Sequence, residues 1–121
     1  MVSNYKKKIF IFDIDNTISI TKKNFYKSAK PKKKLINFIN SLKKNGHTIK
    51  IYTSRYMGRT NQNVRLVNKK YKKQTIKQLK SWGLQFDEVI MGKPSYDFFI
   101  DDKSFNPKNI NIKNTFKKFT M

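Results

Sequence analysis

Ile9-Phe10-Ile11-Phe12-Asp13-Ile14-Asp15-Asn16-Thr17 is the stretch on which the fold turns. Four consecutive apolar residues follow the basic lead-in Lys6, Lys7, Lys8 and read as a strand buried on both faces of a parallel sheet. The run stops at a carboxylate. Asp13 and Asp15 are one residue apart, so in extended geometry their side chains leave the chain on the same side. An isolated pair of this kind can equally cap a turn through Asx hydrogen bonds. What separates the two readings is the company the pair keeps at other strand ends.

Working outward, residues 17–20 alternate polar and apolar before a Lys-Lys-Asn tract, the pattern of a short hairpin or flap. Pro31 is expected to open a helix whose apolar face is Leu35, Ile36, Phe38, Ile39 and Leu42, with Gly46 as its C-terminal cap. Residues 48–52 read as a second strand ending at Thr53, Ser54 and Arg55. Two helices are expected next. One covers 61–71 through Val64, Val67 and Tyr71; the other starts from a capping box at Thr75 and Gln78, buries Ile76, Leu79 and Trp82, and ends at Gly83. Residues 88–91 read as a third strand leading to Gly92-Lys93-Pro94, and 98–100 as a fourth leading to Asp101-Asp102. Beyond Phe105 the chain is rich in Asn and Lys, with an edge strand expected near 110–112 and a tail.

Strands alternating with helices imply an α/β fold with right-handed crossovers, and the ligand site of such a sheet lies at the carboxyl ends of its strands. Asp13, Asp15, Thr53, Arg55, Lys93, Asp101 and Asp102 all follow expected strands. Groups far apart in sequence are thereby gathered at one edge.

The chain has 121 residues, enough for one domain over 1–121 in which 106–121 forms a basic C-terminal segment. No apolar stretch approaches the roughly 20 residues that span a bilayer, so a soluble, cytoplasmic protein is expected. Cysteine is absent, which removes disulfides and thiolate metal sites. The formal net charge is +21, from 28 Lys and Arg against 7 Asp and Glu. Lysines account for 25 of those cations and are scattered through every segment, which favours a solvated basic surface over a dedicated nucleic-acid face. Five of the seven carboxylates, by contrast, fall at Asp13, Asp15, Asp97, Asp101 and Asp102. Grouped carboxylates suit a hard cation.

These groups suit phosphate-ester chemistry. A phosphate monoester repels a bare carboxylate, and Mg²⁺ held by Asp13 and the Asp101-Asp102 pair would remove that repulsion. Lys93 adds a fixed positive charge, and the Thr53 hydroxyl can donate to a phosphoryl oxygen.

The order Asp13-Ile14-Asp15-Asn16-Thr17, Thr53, Lys93, Asp101-Asp102 resembles the four ordered motifs of the haloacid dehalogenase (HAD) superfamily, over about residues 8 to 106. Thr53-Ser54-Arg55, Gln78-Leu79, Trp82-Gly83, Gly92-Lys93-Pro94 and Ile100-Asp101-Asp102-Lys103 are similar, more narrowly, to small capless HAD phosphatases of capsule and polysaccharide biosynthesis. The resemblance implies a Rossmannoid three-layer sandwich with a central parallel sheet and no cap domain. It implies Asp13 as the nucleophile forming an aspartyl-phosphate and Asp15 as the acid and base. It places Mg²⁺ on the Asp13 carboxylate, the Asp15 carbonyl and Asp102, with Asp101 behind it near Lys93. Thr17, Thr53, Ser54 and Lys93 would surround the phosphoryl group, and Arg55 would face the substrate.

Position 16 is Asn where many relatives have Gly, and Asn tolerates the left-handed backbone of that turn. Only 37 residues separate Asp15 from Thr53, too few for an inserted cap. The resulting open site would admit large substrates or borrow a neighbouring subunit of a homo-oligomer as its lid. A small phosphorylated metabolite such as a sugar phosphate is the expected substrate, by analogy with the subgroup. The +21 charge keeps two alternatives: a phosphatase of nucleic-acid ends, and a non-catalytic nucleic-acid-binding protein on a HAD scaffold. His47 reads as loop structure, and Trp82, Phe98 and Phe99 as core.

Overall fold

A computed structural model describes residues 6–108 of the chain. The elements, in order, are β1 (Ile9–Phe12), β2 (Ser19–Ile20), a 3-10 turn (Tyr26–Ser28), β3 (Lys30–Pro31), α1 (Lys33–Lys44), β4 (Thr48–Thr53), α2 (Val64–Ser81) and β5 (Glu88–Met91). β1, β4 and β5 form a parallel sheet in that order, with Phe10 beside Ile49 and Ile51 beside Val89. β2 and β3 make a separate antiparallel pair, the expected flap. The protein is thus α/β, with helical crossovers flanking a parallel sheet in a Rossmann-like arrangement.

Strand alternation shows where the core lies. Ile49, Ile51, Val89 and Met91 are buried in one cluster with Leu35, Ile36, Ile39 and Leu42 of α1 and Val67 and Leu79 of α2, and Phe10 and Phe12 pack against it. Both helices therefore cover the same face of the sheet, as expected when two crossovers step in the same direction. The opposite face carries Ile9, Ile11, Lys50, Tyr52, Glu88 and Ile90, none of them buried. Among the described residues the architecture has two layers, not the three expected.

Four further expectations change. Pro31 does not open α1 but ends β3, where its fixed φ and missing N–H suit a two-residue edge strand; Lys32 is the N-cap. The two expected helices after β4 are one, α2, because Thr75 turns inward and bonds the Tyr71 carbonyl at 2.9 Å instead of capping a new start. Asn63 supplies the cap, its side chain accepting from the Leu66 N–H at 3.0 Å. Residues 98–100 form no strand, and Phe98 and Phe99 are exposed, not core. The strand expected near 110–112 and the tail lie outside the described residues.

His47 is buried in its loop, accepting the Lys8 N–H on Nδ1 at 3.1 Å and meeting the edge of Phe10. Burial and the nearby Lys7 and Lys8 lower its pKa from 6.5 and keep it neutral. Gly46, at φ +90, makes the reversal between α1 and this loop that a side chain would strain.

Candidate active site at the strand tips

The carboxyl ends of β1, β4 and β5 carry Asp13, Thr53 and Lys93, three of the expected residues, close together. Asp13 follows β1, and the ammonium of Lys93, just past β5, lies 3.8 Å from its Oδ1. Lys93 is buried, and its backbone N–H donates to the Thr53 carbonyl at 3.1 Å, which fixes the β5 exit over the tip of β4. Its side chain is held by the Tyr96 hydroxyl at 3.0 Å and lies 4.6 Å and 4.7 Å from the ring centres of Tyr96 and Phe99. Burial raises the Asp13 pKa above 3.8, and the Lys93 charge pulls against that rise. Thr53 is buried and accepts the Arg55 N–H on its hydroxyl at 3.1 Å, which leaves its own proton to donate. Ser54 is half-buried beside it, and Thr17 closes the turn after Asp13 through its N–H to the Ile14 carbonyl.

Asp15 is bound on every side. Arg55 Nε reaches Oδ2 and Nη2 reaches Oδ1, both at 2.9 Å, and the Thr21 hydroxyl donates to Oδ1 at 2.7 Å. The Arg55 side chain is only 1% exposed, so its expected place facing the substrate is corrected. It is a buried clamp that also donates through Nη1 to Gln78, whose amide donates in turn to the Tyr26 carbonyl at 2.7 Å. Tyr26 lies under the guanidinium, its ring centre 5.0 Å away. Asn16 has φ 62, the left-handed turn expected of it, and its side chain accepts the Thr21 N–H at 3.0 Å.

Sequence reasoning missed Thr21, Tyr26 and Tyr96. The spacing of Thr21 from Asp15 held a signal, since a hairpin starting at residue 17 returns the chain toward its own beginning. Tyr26 and Tyr96 gave no such signal.

Asp101 and Asp102 do not join the site. They lie in an exposed turn closed by the Lys103 N–H on Asp101 Oδ1 at 3.1 Å and the Ser104 hydroxyl on the Asp101 carbonyl at 3.0 Å. That backbone bond lowers the Asp101 pKa, and the neighbouring Asp101 carboxyl raises that of Asp102. Among the described residues no three His, Cys, Asp or Glu side chains stand close enough to hold a metal ion. The Asp13 carboxylate is at the strand tip, but the third donor expected from Asp101 or Asp102 is elsewhere. Among the described residues of one chain the expected Mg²⁺ donor set is therefore incomplete.

No protein-family model matches the chain, and no curated protein does. It is similar to the crystal structure of an MCSG target from Vibrio cholerae, at 26% identity and a TM-score of 0.80, over 94% of this chain and 97% of that one. The likeness extends over nearly all of both chains and supports the α/β fold. No helix among the described residues is long and apolar enough to cross a membrane.

Proposed function

We propose that the protein is a phosphatase of the HAD type that hydrolyses a phosphate monoester, with Asp13 as the nucleophile. The observation that carries this reading is the Asp13 carboxylate at a parallel-strand tip, 3.8 Å from the buried Lys93 ammonium and with the Thr53 hydroxyl at the neighbouring tip. A carboxylate oxygen of Asp13 attacks phosphorus while the ester P–O bond breaks. Lys93 offsets the charge on the transferring group, and Thr53 donates to one of its oxygens. Water then cleaves the aspartyl-phosphate, returning the carboxylate and releasing phosphate. Asp15 takes the acid and base role by resemblance; both of its oxygens accept from Arg55 and Thr21, so a proton on it must displace one of those bonds. Mg²⁺ belongs to this reading only by resemblance.

The substrate favoured is a small phosphorylated metabolite. The net charge of +21 supports a second reading, a phosphorylated oligonucleotide end. Hydrolysis of an aryl phosphate by the wild type and by Asp13→Asn, with and without added Mg²⁺, tests the first step; equal rates for the two proteins would remove Asp13 from it. Comparing sugar phosphates with end-phosphorylated oligonucleotides at rising salt separates the substrates, since only the polyanion should lose rate steeply.

A further inference from the structure

Two uncovered surfaces of this chain match each other. Among the described residues β1 is an outer strand of the parallel sheet, and on the uncovered face Ile9 is 65% exposed and Ile11 58%. Parallel strands are ordinarily covered on both faces, and a free apolar edge invites another strand. The segment 96–105 supplies one: Phe98 is 85% exposed and Ile100 93%, while Phe99 gives up its place over the Lys93 ammonium when the arm leaves.

The chain's own arm cannot fill its own edge in the direction that brings Asp101 and Asp102 toward Asp13. That direction is parallel to β1, and a parallel crossover takes about a dozen residues or more. Only 92–97 lie between β5 and Phe98. Part of that link is already tied down, Lys93 to the Thr53 carbonyl and Ser95 to Gln62 by bonds of 3.1 Å and 2.9 Å. A second copy of the chain meets no such limit.

Charge points the same way. The arm holds Asp97, Asp101 and Asp102 against Lys103 alone, in a chain whose net charge is +21. β1 is entered through Lys6, Lys7 and Lys8, whereas Lys50 on the uncovered face is already paired with Glu88 at 3.6 Å. With the arm parallel to β1, Asp97 falls at the basic entry to that strand, while Asp101 and Asp102 fall at its Asp13 end, near the Lys93 ammonium.

We infer that two copies exchange arms. Residues 98–100 of each add a parallel strand to the free edge of β1 in the other, beside Phe10, Ile11 and Phe12, and carry Asp101 and Asp102 to the other copy's Asp13. The missing carboxylates of the site then come from the second protomer. This last consequence rests on the phosphatase reading; the exchange itself does not.

Light scattering on the full chain should give twice the 14.4 kDa of one protomer. The double variant Phe98→Asp, Ile100→Asp, altered only at exposed positions, should be monomeric with an unchanged circular dichroism spectrum. A monomeric wild type at tens of micromolar, or a dimer that survives the double variant, overturns the exchange. Because the chain lacks cysteine, Ile11→Cys and Phe99→Cys proteins, mixed and oxidised, should join to each other as heterodimers; failure to do so overturns the proposed pairing. For the site, Asp13→Asn and the double variant Asp101→Asn, Asp102→Asn should each be inactive alone. After mixing and re-equilibration they should recover about a quarter of the wild-type rate, since half the random dimers are mixed and each has one complete site. Dimers that form without this recovery overturn the delivery of Asp101 and Asp102. A wild type that dimerises and cross-links as expected but hydrolyses no phosphate ester removes the phosphatase reading and leaves the exchange supported.

Discussion

Two segments of the chain carry an apolar run closed by aspartate: Ile9–Phe12 before Asp13, and 98–100 before Asp101 and Asp102. The first is a strand, paired residue by residue with β4, and its aspartate is held beside a buried lysine. The second is exposed, and its aspartates bond only to their own turn. The local chemistry is nearly the same, so the difference is topological. After Phe12 a hairpin and a twelve-residue helix give β4 the length of chain it needs to return alongside β1. After Met91 only six residues precede Phe98, and no helix carries them back. A strand needs a neighbour that the chain can reach.

That contrast is sharpest at the two aspartate positions, and the largest effect is expected there. Asp13→Asn should lower phosphatase activity by about 10³-fold or more, because an amide cannot be the attacking group, and single-turnover phosphate release measures it. Next comes the clamp that makes the β1 end rigid. Arg55→Met leaves the Asp15 carboxylate without its guanidinium and should cost about 3 kcal/mol of stability, read from urea denaturation; a loss below about 1 kcal/mol would mean that the buried pair is not an organising contact.

Lys93→Met should cost about 10² in rate, the scale for removing one donor aimed at developing charge. It should also move the pH profile. Burial already raises Asp13 above 3.8, and on the phosphatase reading the attacking form is the carboxylate, so activity should fall as pH drops through that raised value. Lys93 opposes the rise, so its removal should shift the acid limb to higher pH; a shift toward lower pH would contradict the pairing. The smallest effect belongs to the turn after Asp13. Asn16→Ala places an alanine at φ 62 and removes the acceptor for the Thr21 N–H, for about 1–2 kcal/mol in thermal denaturation.

What the sequence made legible follows the range of the interaction. The position of β1, though not its expected burial on both faces, the β-branched and aromatic run of β4, the caps at Gly46 and Gly83 and the left-handed Asn16 are local, and each stands where its residues suggest. Asp13, Thr53 and Lys93 were legible as a group because a parallel sheet brings all its strand ends to one edge. Arg55 was misread as facing substrate because its guanidinium is satisfied by Asp15, 40 positions away, and by Gln78, neither of which marks itself as a partner. Thr75 misled for a related reason, since a threonine that bonds backward within a helix looks in sequence like one that begins a helix. The segment 98–100 had the composition of a strand and lacked only a reachable position in its own sheet.

The hydrogen bond from Gln78 to the Tyr26 carbonyl has a bearing on Asp15. It fastens the β2–β3 hairpin to the middle of α2's last turns, through the same glutamine that steadies Arg55. The hairpin that holds Asp15 through Thr21 is thus braced against α2, and loosening either end of that brace reaches the same carboxylate.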